Sequence, residues 1–312
     1  MWAAISAAHN LKVIIMKILN FGSLNIDYVY SVPHFVLPGE TISSVKLQVF
    51  CGGKGLNQSI ALARAGANVY HAGKIGEGGK MLLDRLNEDG VNTNLIIKTE
   101  RQNGHAIIQV DKKGENCIIL HGGANKEIDE KEADFILSHF EKGDLLLLQN
   151  EINCIKYIME SAYKKGLIIA LNPSPIDENI KTYPLEYAAY FILNEIEGFE
   201  ITGKKDSEDI LNEMQKKFPN SKIALTLGKK GVVYRDKNIE ATQGIFDVKV
   251  VDTTAAGDTF TGYFLSGIVN GLDIKEMLKR ASMASSICVS RKGASNSIPL
   301  LDEVLKADLK LI

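Results

Sequence analysis

Little in this chain points to thiol or metal-cluster chemistry. Its four cysteines, Cys51, Cys117, Cys154 and Cys288, stand far apart and form no C-x-x-C pair. That spacing excludes a zinc ribbon and a disulfide framework, and leaves reduced, mostly buried thiols as the expectation. Charge of one sign is equally lacking: 36 Lys and Arg face 38 Asp and Glu, for a net charge of −2 and a pI near 6.3. The balance supplies no basic surface for nucleic acid, and the few Lys-Lys pairs read as solvated faces. No apolar run approaches the length of a membrane span. The mildly apolar residues 1–15 lack the charged start of a signal peptide and are interrupted by Lys12, so they read as an extension peripheral to the fold. No G-x-G-x-x-G follows a strand, which removes the main support for a dinucleotide-binding oxidoreductase. No internal repeat or low-complexity linker is visible. The expectation is a soluble, cytoplasmic protein with a small-molecule partner, without nucleic acid or membrane.

What is present is apolar material for a large core: 312 residues at 45% hydrophobic content bury one core, or one core and a small appended sheet. Apolar runs at 145–148, 167–171, 190–193 and 222–227 are continuous rather than alternating, as parallel strands covered on both faces are. Helical stretches lie between them. Asp129 with Glu132 makes a capping pair ahead of Ile136 and Phe140, and Ile152, Ile155, Ile158, Met159 and Ala162 form a stripe. This alternation predicts an α/β fold with a doubly wound, mainly parallel sheet flanked by helices. Polar-interrupted segments at 41–50 and 106–120, the second with a turn at Asp111-Lys112-Lys113-Gly114, predict the strands of a small β-sheet lid.

Two glycine-containing turns open helices. In Asp252-Thr253-Thr254-Ala255-Ala256-Gly257-Asp258-Thr259-Phe260 small residues precede an apolar helix marked by Phe260, Phe264, Gly267 and Ile268, with Gly262 between them for close packing. Ala255, Ala256 and Gly257 leave their N–H groups unshielded at a helix start, where a phosphate can rest. Asp258 falls within the first turn, either as a helix cap or as a base that receives a proton from a hydroxyl attacking that phosphate. The other turn, Gly52-Gly53-Lys54-Gly55-Leu56-Asn57, runs into a helix at 57–65 closed by Gly66. It is no Walker loop, since glycine rather than Ser or Thr follows Lys54.

Together with Gly22-Ser23-Leu24-Asn25-Ile26-Asp27, Gln149-Asn150-Glu151, Leu171-Asn172-Pro173-Ser174-Pro175, Asn194-Glu195-Ile196-Glu197, Thr226-Leu227-Gly228 and Arg291-Lys292-Gly293-Ala294, these turns resemble the ribokinase branch of the PfkB family of sugar kinases. The match runs in family order from about residue 16 to about residue 300. The resemblance implies one ribokinase-like domain at 16–312, with lid strands from about 28–51 and 103–121, and a homodimer formed through the lid. It implies ATP-dependent phosphorylation of a sugar, with D-ribose at O5 leading, another pentose, deoxyribose, a ketohexose or a nucleoside as alternatives, and a non-catalytic sugar sensor as a reading from another class. Asp258 is then the general base and the backbone of Ala255, Ala256 and Gly257 the anion hole. Asn25, Asp27, Gly53, Lys54, Asn57 and Glu151 hold the sugar; Asn194, Thr226, Gly228, Gly231, Gly257 and Ser282 meet the nucleotide. Glu197 binds Mg²⁺ through water, and Asp252, Thr254, Cys288, Arg291, Gly293 and Ser297 bind K⁺. The chain departs from the family pattern at Gly76-Glu77-Gly78-Gly79 and at Gln102-Asn103-Gly104-His105-Ala106. His105 reads either as a sugar contact or as an ordinary exposed lid histidine, the latter favoured.

Overall fold

The computed structural model describes residues 16–312, so the extension expected at 1–15 lies outside the described residues. Its strands are β1 (Ile18–Phe21), β2 (Asn25–Ser31), β3 (Lys46–Gly52), β4 (Val69–Glu77), β5 (Asn92–Gln102), β6 (Gly104–Val110), β7 (Asn116–His121), β8 (Leu145–Gln149), β9 (Ile168–Asn172), β10 (Ala188–Asn194), β11 (Lys222–Thr226), β12 (Val232–Arg235) and β13 (Glu240–Gln243). The helices are α1 (Lys54–Arg64), α2 (Lys80–Glu88), α3 (Glu130–Leu137), α4 (Ile155–Lys165), α5 (Glu195–Thr202), α6 (Ser207–Lys217), α7 (Ala256–Val269), α8 (Ile274–Val289) and α9 (Leu301–Lys306). Nine strands form the main sheet in the order β13-β12-β11-β10-β9-β8-β1-β4-β5, all pairings parallel except β11 with β12 and β12 with β13 at one edge. A separate sheet has the order β3-β2-β6-β7. Among the described residues no helix is long and apolar enough to cross a membrane.

The continuous apolar runs are explained by the two layers they separate. Along β8, Leu145 and Leu147 face the side covered by α1, α7 and α8, whereas Leu146 and Leu148 face α3, α4 and α6. All four are fully buried, each contributing about 1.5–3 kcal/mol by leaving water. The capping pair is present as a full box, Asp129 accepting from the Glu132 N–H while the Glu132 carboxylate accepts from the Asp129 N–H. At 111–114 the predicted turn is closed by Asp111, whose carboxylate accepts from Lys113 and Glu115.

Several details differ from expectation. Helix α1 begins at Lys54 rather than at residue 57, because Gly53, at φ 94°, turns the chain directly into it. Ile152 is buried but precedes α4, which starts after Cys154 in a left-handed conformation. Of the four free thiols only Cys288 is buried; Cys117 is exposed and the other two are partly so. β2 begins at Asn25, so Asn25 and Asp27 lie on the small sheet itself.

Close helix packing sets the geometry of the site. A Cβ on Gly262 of α7 would come within 2.4 Å of the Ala61 Cβ on α1, so glycine there lets the two helices touch, as expected from the sequence. α1 carries Asn57 and Gln58, and α7 carries Asp258.

Candidate active site

The start of α7 borders a polar cavity of about 240 Å³ beyond the ends of the central strands. Thr253, Ala255, Ala256, Gly257, Asp258 and Thr261 line one side; Asn172, Asn194, Glu197, Thr226 and Lys54 are among the residues opposite. Ala255 is the N-cap with φ 61°, a left-handed conformation that costs a non-glycine residue about 1 kcal/mol. Gly257 has an ordinary φ, and nothing lies within 4 Å of where its Cβ would be. Neither backbone conformation nor packing therefore requires glycine at 257; the empty space belongs to the cavity.

Asp258 is 7% exposed. Its Oδ2 accepts from Asn57 Nδ2 at 3.0 Å and its Oδ1 from Gln58 Nε2 at 2.9 Å. The carboxylate is thus held by two successive residues of α1, and this contact, not a helix-cap bond, fixes it. Lys54 lines the same cavity. Burial alone would lower its pKa, but the carboxylates of Asp258, Glu151 and Glu197 outweigh that and raise it, so the ammonium stays charged.

On the small-sheet side, Glu151 Oε2 accepts from the Lys54 N–H at 2.9 Å and from the Ser23 hydroxyl. Asn25 Oδ1 accepts from Asn125 Nδ2 at 2.7 Å. Asp27 points over Gly52, where any Cβ would clash with its carboxylate. Gly53, the remaining sugar candidate, contributes the turn. Strand register puts Asn25 and Asp27 on one face of the small sheet and His105, paired with Ile26, on the other. There His105 packs near Tyr28 and His121, away from the sugar candidates.

Burial, then the nearby Glu151 charge, pushes the Asp27 pKa up to about 7. Between the ordinary carboxylate range and about pH 7 the folded protein retains a proton that the unfolded chain has released. Stability from this group therefore falls as pH rises across that window, and the loss is complete above it. Asp27→Asn is expected to stabilise the fold at pH 8 by about 1–2 kcal/mol, to gain much less at pH 4.5, and to weaken sugar binding. Denaturant melts at both pH values check this; an equal gain at both contradicts it.

Asn194 and Glu197 form a capping box at the start of α5, both Glu197 oxygens accepting from Asn194 at 3.0 Å. They cap and line the cavity at once. Burial raises the Glu197 pKa, partly offset by its hydrogen bonds and Lys54. Of the other nucleotide candidates Thr226 and Gly257 line the cavity, whereas Gly228, Gly231 and Ser282 are not in its wall. Gly231 is required by its own chain: at φ 87° its Cβ would meet the Gln243 carbonyl. Ser282 is buried within α8.

Beside α7 the loops at 252–254 and 290–297 are tied together. Asp252 Oδ1 accepts from the N–H and hydroxyl of Thr254 at 2.9 and 2.6 Å, and Oδ2 from the Gly293 N–H at 3.0 Å. Burial would raise the Asp252 pKa, but these bonds and Lys292 together lower it. Cys288 Sγ lies 3.0 Å from Ser297 Oγ and donates to the Thr254 carbonyl. Arg291 turns to Glu303 at 2.7 Å, leaving its backbone alone to serve an ion. Among the described residues no cluster of three or more His, Cys, Asp or Glu suits a metal.

The structure also brings in residues given no role from the sequence: Asn172, Ser174 and Thr253, which lie in the motifs, and Gln58 and Thr261, which do not. Gln58 left a signal, since Asn57, Gln58 and Ser59 interrupt an otherwise apolar helix and all three are buried.

A family model described as pfkB family carbohydrate kinase matches residues 16–301. The chain is 35% identical to the ribokinase of Schizosaccharomyces pombe over 308 residues, 93% of this chain and 96% of that one. Ribokinase from Haemophilus influenzae is 33% identical over 294 residues, 91% of this chain and 96% of its own. Deoxyribokinase from Salmonella typhi is 28% identical, with coverage of 92% and 97%. The structure of Arabidopsis thaliana ribokinase complexed with ribose and ATP superposes with a TM-score of 0.83 at 29% identity, covering 93% of this chain and 97% of that one. Cryptococcus neoformans ribokinase in complex with ADP gives 0.80 at 32% identity, covering 93% and 99%.

Proposed function

The chain belongs to the pfkB family of carbohydrate kinases, and we propose that it transfers the γ-phosphoryl group of ATP to O5 of D-ribose, giving D-ribose 5-phosphate. It is a phosphotransferase with an alcohol acceptor. One observation supports the assignment above others: a carboxylate held on both oxygens stands at a helix start, in the wall of a polar cavity that Lys54, Asn194 and Glu197 also line. Asn25, Asp27, Gly53, Lys54, Asn57 and Glu151 hold the sugar. Asp258 takes the proton of the primary hydroxyl as that oxygen attacks, and the N–H groups of Ala255, Ala256 and Gly257 stabilise charge on the transferring phosphoryl. A sugar sensor has no use for this arrangement. The deoxyribokinase relative supports deoxyribose as the second reading.

The donor sets suit two cations. Glu197, with Asn194, offers carboxylate and amide oxygen to Mg²⁺ through water, and Mg²⁺ when bound neutralises phosphate charge. Asp252, Thr254, Ser297 and the backbone of Cys288, Arg291 and Gly293 offer the oxygen donors a monovalent cation needs, on the two loops that flank the anion turn. These loops hold the N–H donors in orientation. Replacing K⁺ by tetramethylammonium at fixed ionic strength is expected to lower activity several-fold, and Asp252→Ala to remove the difference between the salts. Equal rates of the parent in both salts contradict the role.

The small sheet closes over the sugar as a lid, and its other face supports a homodimer. One cross-strand row there, Val49, Tyr28, Ile107 and Ile119, is apolar or aromatic, with Val49 and Ile119 44% and 60% exposed. Reduced thiols and ATP use suit the cytoplasm. A coupled ADP-release assay over pentoses, hexoses and nucleosides tests the substrate: ribose is expected to give the highest kcat/KM, and turnover of nucleosides with none on free sugars would sink the assignment.

A further inference from the structure

Beneath Asp258 runs a chain of buried amides whose orientation is dictated from both ends. Asn20, Gln58 and Gln149 are all 0% exposed, and Asn172 is 9% exposed. Asn20, in β1, donates through Nδ2 to the Gly55 carbonyl and to Ser59 Oγ, both at 2.8 Å. A carbonyl only accepts, so Asn20 must present Oδ1 on its other side. There it receives Gln149 Nε2 at 2.8 Å. The second hydrogen of Gln149 Nε2 goes to Gln58 Oε1 at 2.7 Å, which leaves Gln58 with its NH₂ pointing the other way. From the opposite end, Asn172 Nδ2 donates to the Ile192 carbonyl at 2.9 Å and so must offer Oδ1 to Gln58 Nε2, also at 2.9 Å. The remaining Gln58 hydrogen goes to Asp258 Oδ1. Gln149 Oε1, meanwhile, has no partner among the described residues. Its orientation is therefore imposed by the network rather than by its own carbonyl.

Resting on the assignment of Asp258 as general base, we infer that Gln58 is a positioning residue for the reaction: its locked amide occupies one lone pair of Asp258 Oδ1 and fixes the rotation of the carboxylate toward the attacking hydroxyl, with Gln149, Asn20 and Asn172 setting that amide from two backbone carbonyls. Asn57 alone cannot do this. Its own Oδ1 is unpartnered among the described residues, so the carboxylate orients the Asn57 amide, by accepting from its NH₂ and repelling its oxygen, and not the reverse.

The test is a double-mutant cycle. Gln58→Met keeps length and volume but removes the donor, and is expected to lower kcat about 10- to 100-fold while KM for ribose and for ATP moves less than about two-fold. On an Asp258→Asn background the same change is expected to cost nothing further. Gln149→Met removes one of the two constraints on the Gln58 amide, the Asn172 end remaining, without touching Asp258, so it is expected to lower kcat in the same sense by a smaller factor, and it decides the matter if Gln58→Met does not fold. A folded Gln58→Met with parental kcat overturns the inference, as do losses that multiply with Asp258→Asn, or a folded Gln149→Met with parental kcat where Gln58→Met is unfolded. Full activity of Asp258→Asn would instead overturn the base assignment itself, which separates the two failures.

Discussion

Asp258→Asn should lower kcat by about 10² to 10⁴ while leaving sugar affinity and folding largely intact. The amide removes the acceptor for the hydroxyl proton, which matters chiefly in the transition state. Folding survives because of an asymmetry in the two donors. Gln58 is locked and keeps pointing an N–H at residue 258, so the new Asn turns its oxygen there and its NH₂ toward Asn57. Asn57 can flip, and its Oδ1, now without a partner among the described residues, would then accept from that NH₂. Steady-state kinetics, ribose binding by calorimetry and a thermal melt on one preparation check all three parts. Near-parental kcat would contradict the assignment, and a variant that cannot fold would contradict the flip.

Gly257→Val is expected to reduce kcat by about 10- to 10³-fold without loss of melting temperature. Its Cβ meets no protein atom within 4 Å and its φ suits any residue, while valine is no worse than glycine in a helix. The added methyls project into the cavity, where the proposed anion hole would hold the transferring phosphoryl. Gly262→Val in the same helix makes the opposite control: its Cβ would be 2.4 Å from Ala61 Cβ, so the loss should appear in stability first. Unchanged kinetics in folded Gly257→Val would argue against the anion hole.

How much of this was legible in the sequence depended on the range of the interactions. The buried strands at 145–148 and 222–227 announced themselves because burial on both faces erases alternation, and the start of α7 because small residues before an apolar helix are a local pattern. The start of β2 at Asn25 was less visible: the lid strand is expected only from about residue 28, and polar Asn25 and Asp27 join it once the pairing with β3 and β6 is known. Gly231 illustrates an ambiguity, since glycine suits both a close ligand and a close neighbouring strand, and the structure supplies the strand. The face occupied by His105 depends on register, which a sequence fixes only through contacts not yet known. The Gln58 network was hidden for the same reason. Its members are 91 and 114 residues from Gln58 in the chain, and only strand order brings them under Asp258.

The central claim is that this site moves a phosphoryl group to the primary hydroxyl of a free pentose. It is tested most directly by incubating the protein with Mg·ATP and either D-ribose or 5-deoxyribose and following ³¹P NMR. With ribose, a phosphomonoester signal split by the two protons at C5 is expected to grow as ADP appears, and with 5-deoxyribose no sugar phosphate should form. A product phosphorylated at the anomeric carbon, or equal ester formation from 5-deoxyribose, would contradict it.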